Sequence, residues 1–145
     1  MIKLTKREVF KLNKNLKIDK VLNDVADVVV KDIKDGIVKY EEDINGTSFT
    51  PLSDYTKNFK KKKGYRFPDK PLYAKGKMKN VYVKRRAVGD GPAVIATNEA
   101  ERPGIGRKHQ EGDEVPQRQW FGISKRTKTP ISNVAKHHIR KALMK

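Results

Sequence analysis

The chain has 145 residues, a length typical of a single domain. Lys and Arg total 34 and Asp and Glu total 17, so the formal net charge is +17, and the mean hydropathy is −0.80. The sequence contains no cysteine, which excludes disulfides, thiolate zinc sites, iron–sulfur clusters and a cysteine nucleophile.

Two further absences bear on the class of protein. No run approaches the roughly 20 apolar residues that cross a bilayer, and the first residues lack the apolar stretch of a signal peptide. We therefore expect one soluble, strongly basic domain over residues 1–145, made in the cytosol and acting away from membranes.

The charge is concentrated in two basic zones. Residues 57–86 hold thirteen basic side chains and one acid, and residues 124–145 hold seven basic side chains and no acid. Such zones favour a negatively charged partner, either DNA or an acidic protein surface. The candidate contacts are Lys60, Lys61, Lys62, Lys63, Lys84, Arg85 and Arg86. A solvated helix end is the alternative for the four lysines, because a helix dipole favours cations there.

Two helices are predicted in the first third of the chain. The Ser/Thr-x-x-Glu pattern that starts at Thr5 is typical of a capping box and predicts a short helix to about Asn13. A period of 3.6 residues then predicts a long amphipathic helix. Its apolar stripe consists of Ile18, Val21, Leu22, Val25, Val29, Ile33 and Ile37. Gly36 lowers helix propensity by about 1 kcal/mol relative to Ala, so we expect a kink or fraying there.

The next segment is predicted to be a loop over 43–53, followed by a short helix over 54–62. Ser53 has the side chain of an N-cap, and Gly64 fits a C-cap after the lysine run. Residues 65–75, which include two prolines, are expected to be extended or looped.

The second half is predicted to contain a β-hairpin and a final helix. Residues 81–88 and 93–97 are rich in β-formers and flank the turn at Gly89–Gly91. The glycines and prolines of 98–118 predict a long loop, and 119–123 a short strand. Thr129 and Pro130 are expected to cap and begin the last helix, so 125–145 is a basic C-terminal helix or tail. The fold class is α+β, with the long and C-terminal helices packed on a small antiparallel sheet.

Patterns for catalysis and metal binding are weak. The P-loop and dinucleotide-binding glycine motifs are incomplete, and no sequence feature brings a base close to a serine. His109 with Glu111 or Asp113 is the best metal candidate, and hydrogen-bonded or exposed histidines are the simpler interpretation. We therefore expect no enzyme, no cofactor and no metal site.

Nucleic-acid binding has better support from the sequence. Basic residues alternate with Tyr65, Phe67, Tyr73 and Tyr82, a mixture suited to phosphate contact and base stacking. The alternative is that these rings fill the core. A basic ribosome- or nucleoid-associated protein is therefore one functional hypothesis.

Three motifs support a second hypothesis, through a resemblance that covers roughly residues 20–124. Residues 46–60 have the sequence GTSFTPLSDYTKNFK, 72–78 have LYAKGKM, and 109–122 have HQEGDEVPQRQWFG. In order and spacing they resemble the phage virion morphogenesis family, the Mu-type tail completion proteins. That family has G-x-x-[FW]-x-P-L before a lysine-rich helix, and H-x-x-G followed by P-x-R-x-[FW]-[LF]-G. Ala74 and Lys75 stand where the family has Thr or Ser before its glycine.

The resemblance implies a structural protein of a tailed phage or phage-like particle that completes the tail or joins head and tail. Its partners would be further copies of itself in a ring, hexameric by analogy with neck rings, and tail-terminator, tail-tube or connector proteins. DNA would pass through the ring, and the protein would reside in the neck or tail after assembly in the host cytoplasm.

The motif residues suit the anchoring of loops, either within one chain or between subunits. Prolines stiffen loops, Arg118 can form a bidentate pair with a carboxylate, and aromatic rings bury large areas. The candidates for this role are Pro51, Leu52, His109, Gly112, Pro116, Arg118, Trp120 and Phe121.

Overall fold

The computed structural model describes residues 5, 14–97 and 104–145. The predicted helix Thr5–Asn13 lies, apart from Thr5, outside the described residues. The described helices and strands follow one another along the chain as α1 (Ile18–Asp35), a π-helical turn (Gly36–Tyr40), α2 (Asp54–Lys62), β1 (Val81–Arg85), β2 (Val94–Thr97), α3 (Ile105–Glu111), a 3-10 turn (Lys125–Thr127) and α4 (Lys128–Leu143). The predicted α+β class is confirmed. None of the described helices is long and apolar enough to span a membrane.

Helix α1 supplies one wall of the core through its predicted apolar stripe. Val29 and Ile33 are buried on it, and Ile37 continues the stripe into the following turn. These side chains form one cluster with residues from distant segments, namely Phe49, Leu72, Val81 and Trp120. Burial of each large apolar side chain contributes about 1.5–3 kcal/mol, so this cluster stabilises the fold.

The predicted irregularity at Gly36 is a π-helical turn that runs to Tyr40. A Cβ at Gly36 would lie 2.7 Å from Nη2 of Arg126, so the glycine leaves room for that guanidinium. Arg126 donates from Nε to Asp32 and from Nη1 to Glu42, each at 3.1 Å. The turn is therefore adapted to an ion-pair network that joins α1 to the start of α4.

Helix α2 has the predicted bounds and caps. The Ser53 Oγ accepts a hydrogen bond from the Thr56 amide at 3.3 Å. At the other end, Gly64 adopts a left-handed φ of 70°. The Gly64 amide donates to Lys61 and the Tyr65 amide to Lys60, the bond pattern of a Schellman cap.

Strands β1 and β2 form the predicted antiparallel hairpin, with Val81 opposite Thr97 and Val83 opposite Ile95. The register shifts at the Val83–Arg85 step. The hairpin is held on α1 by the Asn23 side chain, which both donates to the carbonyl and accepts from the amide of Ala87, at 3.1 and 2.7 Å.

The expectation of an uninterrupted loop over 98–118 is wrong, because α3 lies within it. Gly104 and Gly112 flank this helix with left-handed φ angles of 84° and 79°. Glycine adopts this left-handed conformation readily and is therefore common where a helix ends. Gly104 and Gly112 mark the limits of α3.

The short strand expected over 119–123 is also absent from the described chain. Ile44 donates its amide hydrogen to Gln119 and accepts one from Lys125. Ile44 thus bonds to two residues that are six positions apart, a pattern that a regular β-ladder does not allow. The Phe121 amide instead donates to the Gln110 side chain at 3.1 Å.

The last helix begins earlier than predicted. Helix α4 starts at Lys128 after the 3-10 turn, so Thr129 is not its cap and Pro130 is its third residue. Pro is tolerated there because the first-turn amides have no acceptor within the helix. The helix packs on α1, where the His138 ring meets the Asp24 carboxylate at 2.6 Å.

Candidate functional site

The loop before α2 and the segment after α3 meet at one buried side chain, Arg118. Its Nε and Nη2 both donate to the Thr50 carbonyl, at 2.9 and 2.6 Å. Longer contacts of 3.4 Å run from Nη1 to the Pro116 carbonyl and from Nη2 to the Pro51 carbonyl. Only 3% of the Arg118 surface is exposed. Arg118 therefore anchors a loop of its own chain.

His109 completes this network from α3. Its Nδ1 lies 3.1 Å from the Arg118 Nη1, which can only donate, so Nδ1 is the acceptor and the neutral ring carries its proton on Nε2. Burial, and secondly the charge of Arg118, lower the pKa of His109, and a hydrogen bond with the Pro116 backbone opposes them. The site thus favours a neutral histidine beside a charged arginine.

The carboxylate partner expected for Arg118 is absent from the part of the chain that the structure describes. Every acceptor within hydrogen-bond distance is a backbone carbonyl or the His109 ring. Burial lowers the pKa of Arg118. A buried cation without an opposite charge costs free energy, so this arginine is an unusual feature of the fold.

Three other predicted residues serve the folding of the same region. The Trp120 indole is buried in the core and donates to the Gly106 carbonyl at 3.0 Å, with the Phe121 ring edge-on at 5.4 Å. Gly112 has a left-handed φ, and a Cβ there would lie 3.0 Å from Gln117. In this structure Trp120, Phe121 and Gly112 hold the loop after α3 within the chain.

Above Arg118 lies a groove with a volume of about 920 Å³. Its walls come from three segments, the 51–65 region, the 71–78 connection, and α3 with the residues that follow it. Five of the predicted anchoring residues line it, namely Pro51, Leu52, His109, Pro116 and Arg118. Leu72 and Met78 of the LYAKGKM segment line it too, so all three motifs meet here.

An aromatic pair on α2, Tyr55 and Phe59, forms part of the same groove. Residues four apart share one face of a helix, and these two remain 82% and 40% exposed. Neither residue is among the site residues predicted from the sequence. The available signal was their spacing on a helix that otherwise carries polar and basic residues.

The basic candidates differ in their surroundings. Lys61, Lys62, Lys63, Lys84 and Arg85 are exposed. Lys60 is buried instead and donates from Nζ to the Lys70 carbonyl at 2.6 Å, so its assignment as a surface contact is wrong. Arg86 is exposed but forms a two-bond pair with Asp27 at 2.8 and 2.9 Å.

Within the described ranges, no group of three or more His, Asp or Glu side chains is arranged to hold a metal ion. Comparisons with known protein families, with curated proteins and with solved structures give no match to this chain. The functional proposal therefore depends on the motifs and on the groove that they form.

Proposed function

We propose that this protein is a structural subunit of a tailed phage or phage-like particle, where it completes the tail or joins head and tail. The observation that carries the proposal is the convergence of the three motifs that resemble the virion morphogenesis family. Separated along the sequence, they line one groove around Arg118. Motif residues that converge on an open surface support a role in recognition.

The role that fits this groove is protein–protein docking. Large aromatic side chains in partly exposed positions are typical anchors of protein interfaces, and Tyr55 and Phe59 occupy such positions. The Arg118 network fixes the loop that precedes α2, so the groove is shaped before a partner arrives. Preorganisation of this kind lowers the entropic cost of association.

A ring arrangement accounts for the charge. Each chain contributes a net charge of +17, and a closed ring, hexameric in our proposal, would multiply it around one axis. The exposed basic residues Lys61–Lys63, Lys84 and Arg85 would then face either the DNA in the channel or an acidic neighbouring protein.

A nucleic-acid-binding protein outside any particle is the second candidate. It is favoured by the same exposed basic residues, which are suited to phosphate contacts without base recognition. In that case the chain would bind duplex DNA or RNA as a monomer, and mutation of the groove would leave that binding unchanged.

Electron cryo-microscopy of particles released by the strain that encodes the chain tests the first candidate, together with light scattering of the purified protein. We expect density for a ring of this fold at the neck or tail, and ring-sized or ring-forming species in solution. A purified monomer that is missing from such particles and binds nucleic acid tightly would replace the first proposal with the second.

A further inference from the structure

The groove contains a cation that the described part of the chain does not neutralise. The Arg118 guanidinium is almost fully buried, yet its acceptors are uncharged. Two of its contacts are long, from Nη1 to Pro116 and from Nη2 to Pro51, both at 3.4 Å. These are the weakest bonds of the network, one on each terminal nitrogen, so a carboxylate can replace the two carbonyl oxygens and bind both terminal nitrogens.

The walls of the groove are mainly apolar and its charged members are basic. Leu52, Tyr55, Phe59 and Met78 provide apolar surface, and Lys75 lies exposed among them. Among the residues that the structure describes, neither Asp nor Glu lines this groove. An occupant with apolar side chains and a negative charge would therefore match it.

We propose that the groove binds a segment of a partner protein that carries an Asp or Glu side chain next to apolar side chains. The carboxylate takes the place of the Pro116 and Pro51 carbonyls at Nη1 and Nη2 of Arg118, while the shorter bonds to Thr50 and His109 remain. The apolar neighbours cover Tyr55 and Phe59. This inference rests on the proposed function and deepens it, because it specifies the chemistry of the protein that docks.

A phosphate backbone fits the groove less well than such a segment. Nucleic-acid phosphates reach exposed cations freely, and Lys61, Lys62 and Lys63 provide them outside the groove. A bare anion at Arg118 would also leave the apolar walls exposed to water, whereas an apolar side chain gains free energy by covering them.

The test begins with selection of a random peptide display library on the intact, immobilised protein. Enriched sequences are synthesised with an amidated C-terminus, so that side chains carry their only carboxylates. Binding is then measured by fluorescence polarisation. We expect an Asp or Glu flanked by apolar residues, and a loss of about tenfold or more in affinity when that acid becomes Asn or Gln.

Variants of the protein locate the binding site. The double variant Tyr55→Ala/Phe59→Ala should weaken binding by at least about tenfold. Val88→Ala is the matched control, since Val88 is an apolar residue of similar exposure to Tyr55, 79%, away from the groove. Arg118→Lys keeps the charge without the paired donors, so it should reduce the preference for Glu over Gln.

Thermal melts check that each variant is folded. If Arg118→Lys does not fold, the double variant at the exposed residues Tyr55 and Phe59 still tests the proposal. The inference is overturned if no peptide is enriched, if enriched peptides lack a carboxylate, or if the enriched peptides bind the folded double variant as well as the parent protein.

Failure of this inference is distinguishable from failure of the proposed function. If particles contain the chain and the double variant is incorporated as efficiently as the parent, the groove is not the docking site and the proposed function stands. If carboxylate peptides bind the groove but the chain is missing from particles, the proposed function fails.

Discussion

Arg118 donates two hydrogen bonds to the carbonyl oxygen of Thr50, 68 residues away in the sequence, from Nε at 2.9 Å and Nη2 at 2.6 Å. The bonds tie the loop before α2 to the segment after α3. They also fix the floor of the groove, because Pro51 and Pro116 lie beside them.

Removal of this side chain should therefore destabilise the fold as well as impair docking. Arg118→Ala leaves the Thr50 carbonyl without its partner, and an unsatisfied buried acceptor costs about 1–3 kcal/mol. We expect a loss of that size in the free energy of unfolding, measured by urea denaturation. Arg107→Ala, at an exposed position on α3, is the control. Equal stability of Arg118→Ala and the parent would contradict the anchoring role.

His109 should make stability depend on pH in the mildly acidic range. Burial and the charge of Arg118 hold its folded pKa below its ordinary value of about 6.5. Between that value and the lower folded pKa, the unfolded chain binds more protons than the native one. Stability is therefore lost as the pH falls through this window and is fully present above it.

His109→Gln should flatten this part of the profile, since glutamine does not titrate. The measurement is the free energy of unfolding of parent and variant from neutral to mildly acidic pH. Val88→Ala, at an exposed apolar position, is the control and should retain the parent slope. Parallel profiles for the parent and His109→Gln would rule out the proposed neutral histidine.

Local features of the fold could be predicted from the sequence, and distant partnerships could not. The apolar stripe of α1 and the Ser53 cap of α2 depend on neighbouring residues, so their patterns are visible in the sequence. The acceptors of Arg118 are backbone carbonyls, which every residue carries, so nothing in the sequence indicates Thr50. The groove likewise requires three segments in the right arrangement.

The roles of Gly104, Gly112 and Lys60 depend on where the fold places them, so the sequence alone does not indicate these roles. The sequence does not distinguish Gly104 and Gly112 from loop residues, because a glycine that caps a helix has the same sequence signature as one in a turn. Lys60 is likewise indistinguishable from its three neighbours in the sequence, because the run is uniform. Lys60 differs from its neighbours in the face of α2 on which it lies, because Thr56 and Lys60, four residues apart, both line the groove.

Gly36 and Arg126 should show strong energetic coupling. In the parent protein, Gly36→Ala places a Cβ 2.7 Å from Nη2 of a guanidinium that Asp32 and Glu42 hold in place. We expect destabilisation by about 1–3 kcal/mol, the range found for overpacking. In an Arg126→Ala background the obstruction is gone, and the helix propensity of alanine should make Gly36→Ala neutral or stabilising by up to about 1 kcal/mol.

A double-mutant cycle with urea denaturation measures this coupling. Gly46→Ala serves as the comparison, because a Cβ at Gly46 meets nothing within 4 Å and only its left-handed φ opposes the change. Its effect should be the same with and without Arg126. A Gly36→Ala effect that is also independent of Arg126 would show that the guanidinium does not restrict this turn.

The four consecutive lysines should separate into one structural and three surface residues. Lys60→Ala leaves the Lys70 carbonyl without its hydrogen-bond partner, so the free energy of unfolding should fall by about 1–3 kcal/mol. The triple variant Lys61→Gln/Lys62→Gln/Lys63→Gln should keep the parent stability. If these lysines contact phosphates, the triple variant should also reduce the magnitude of the slope of log affinity for duplex DNA against log salt by about 3. Equal loss of stability in both variants would contradict the burial of Lys60, and an unchanged salt slope would favour solvated lysines that touch no polyanion.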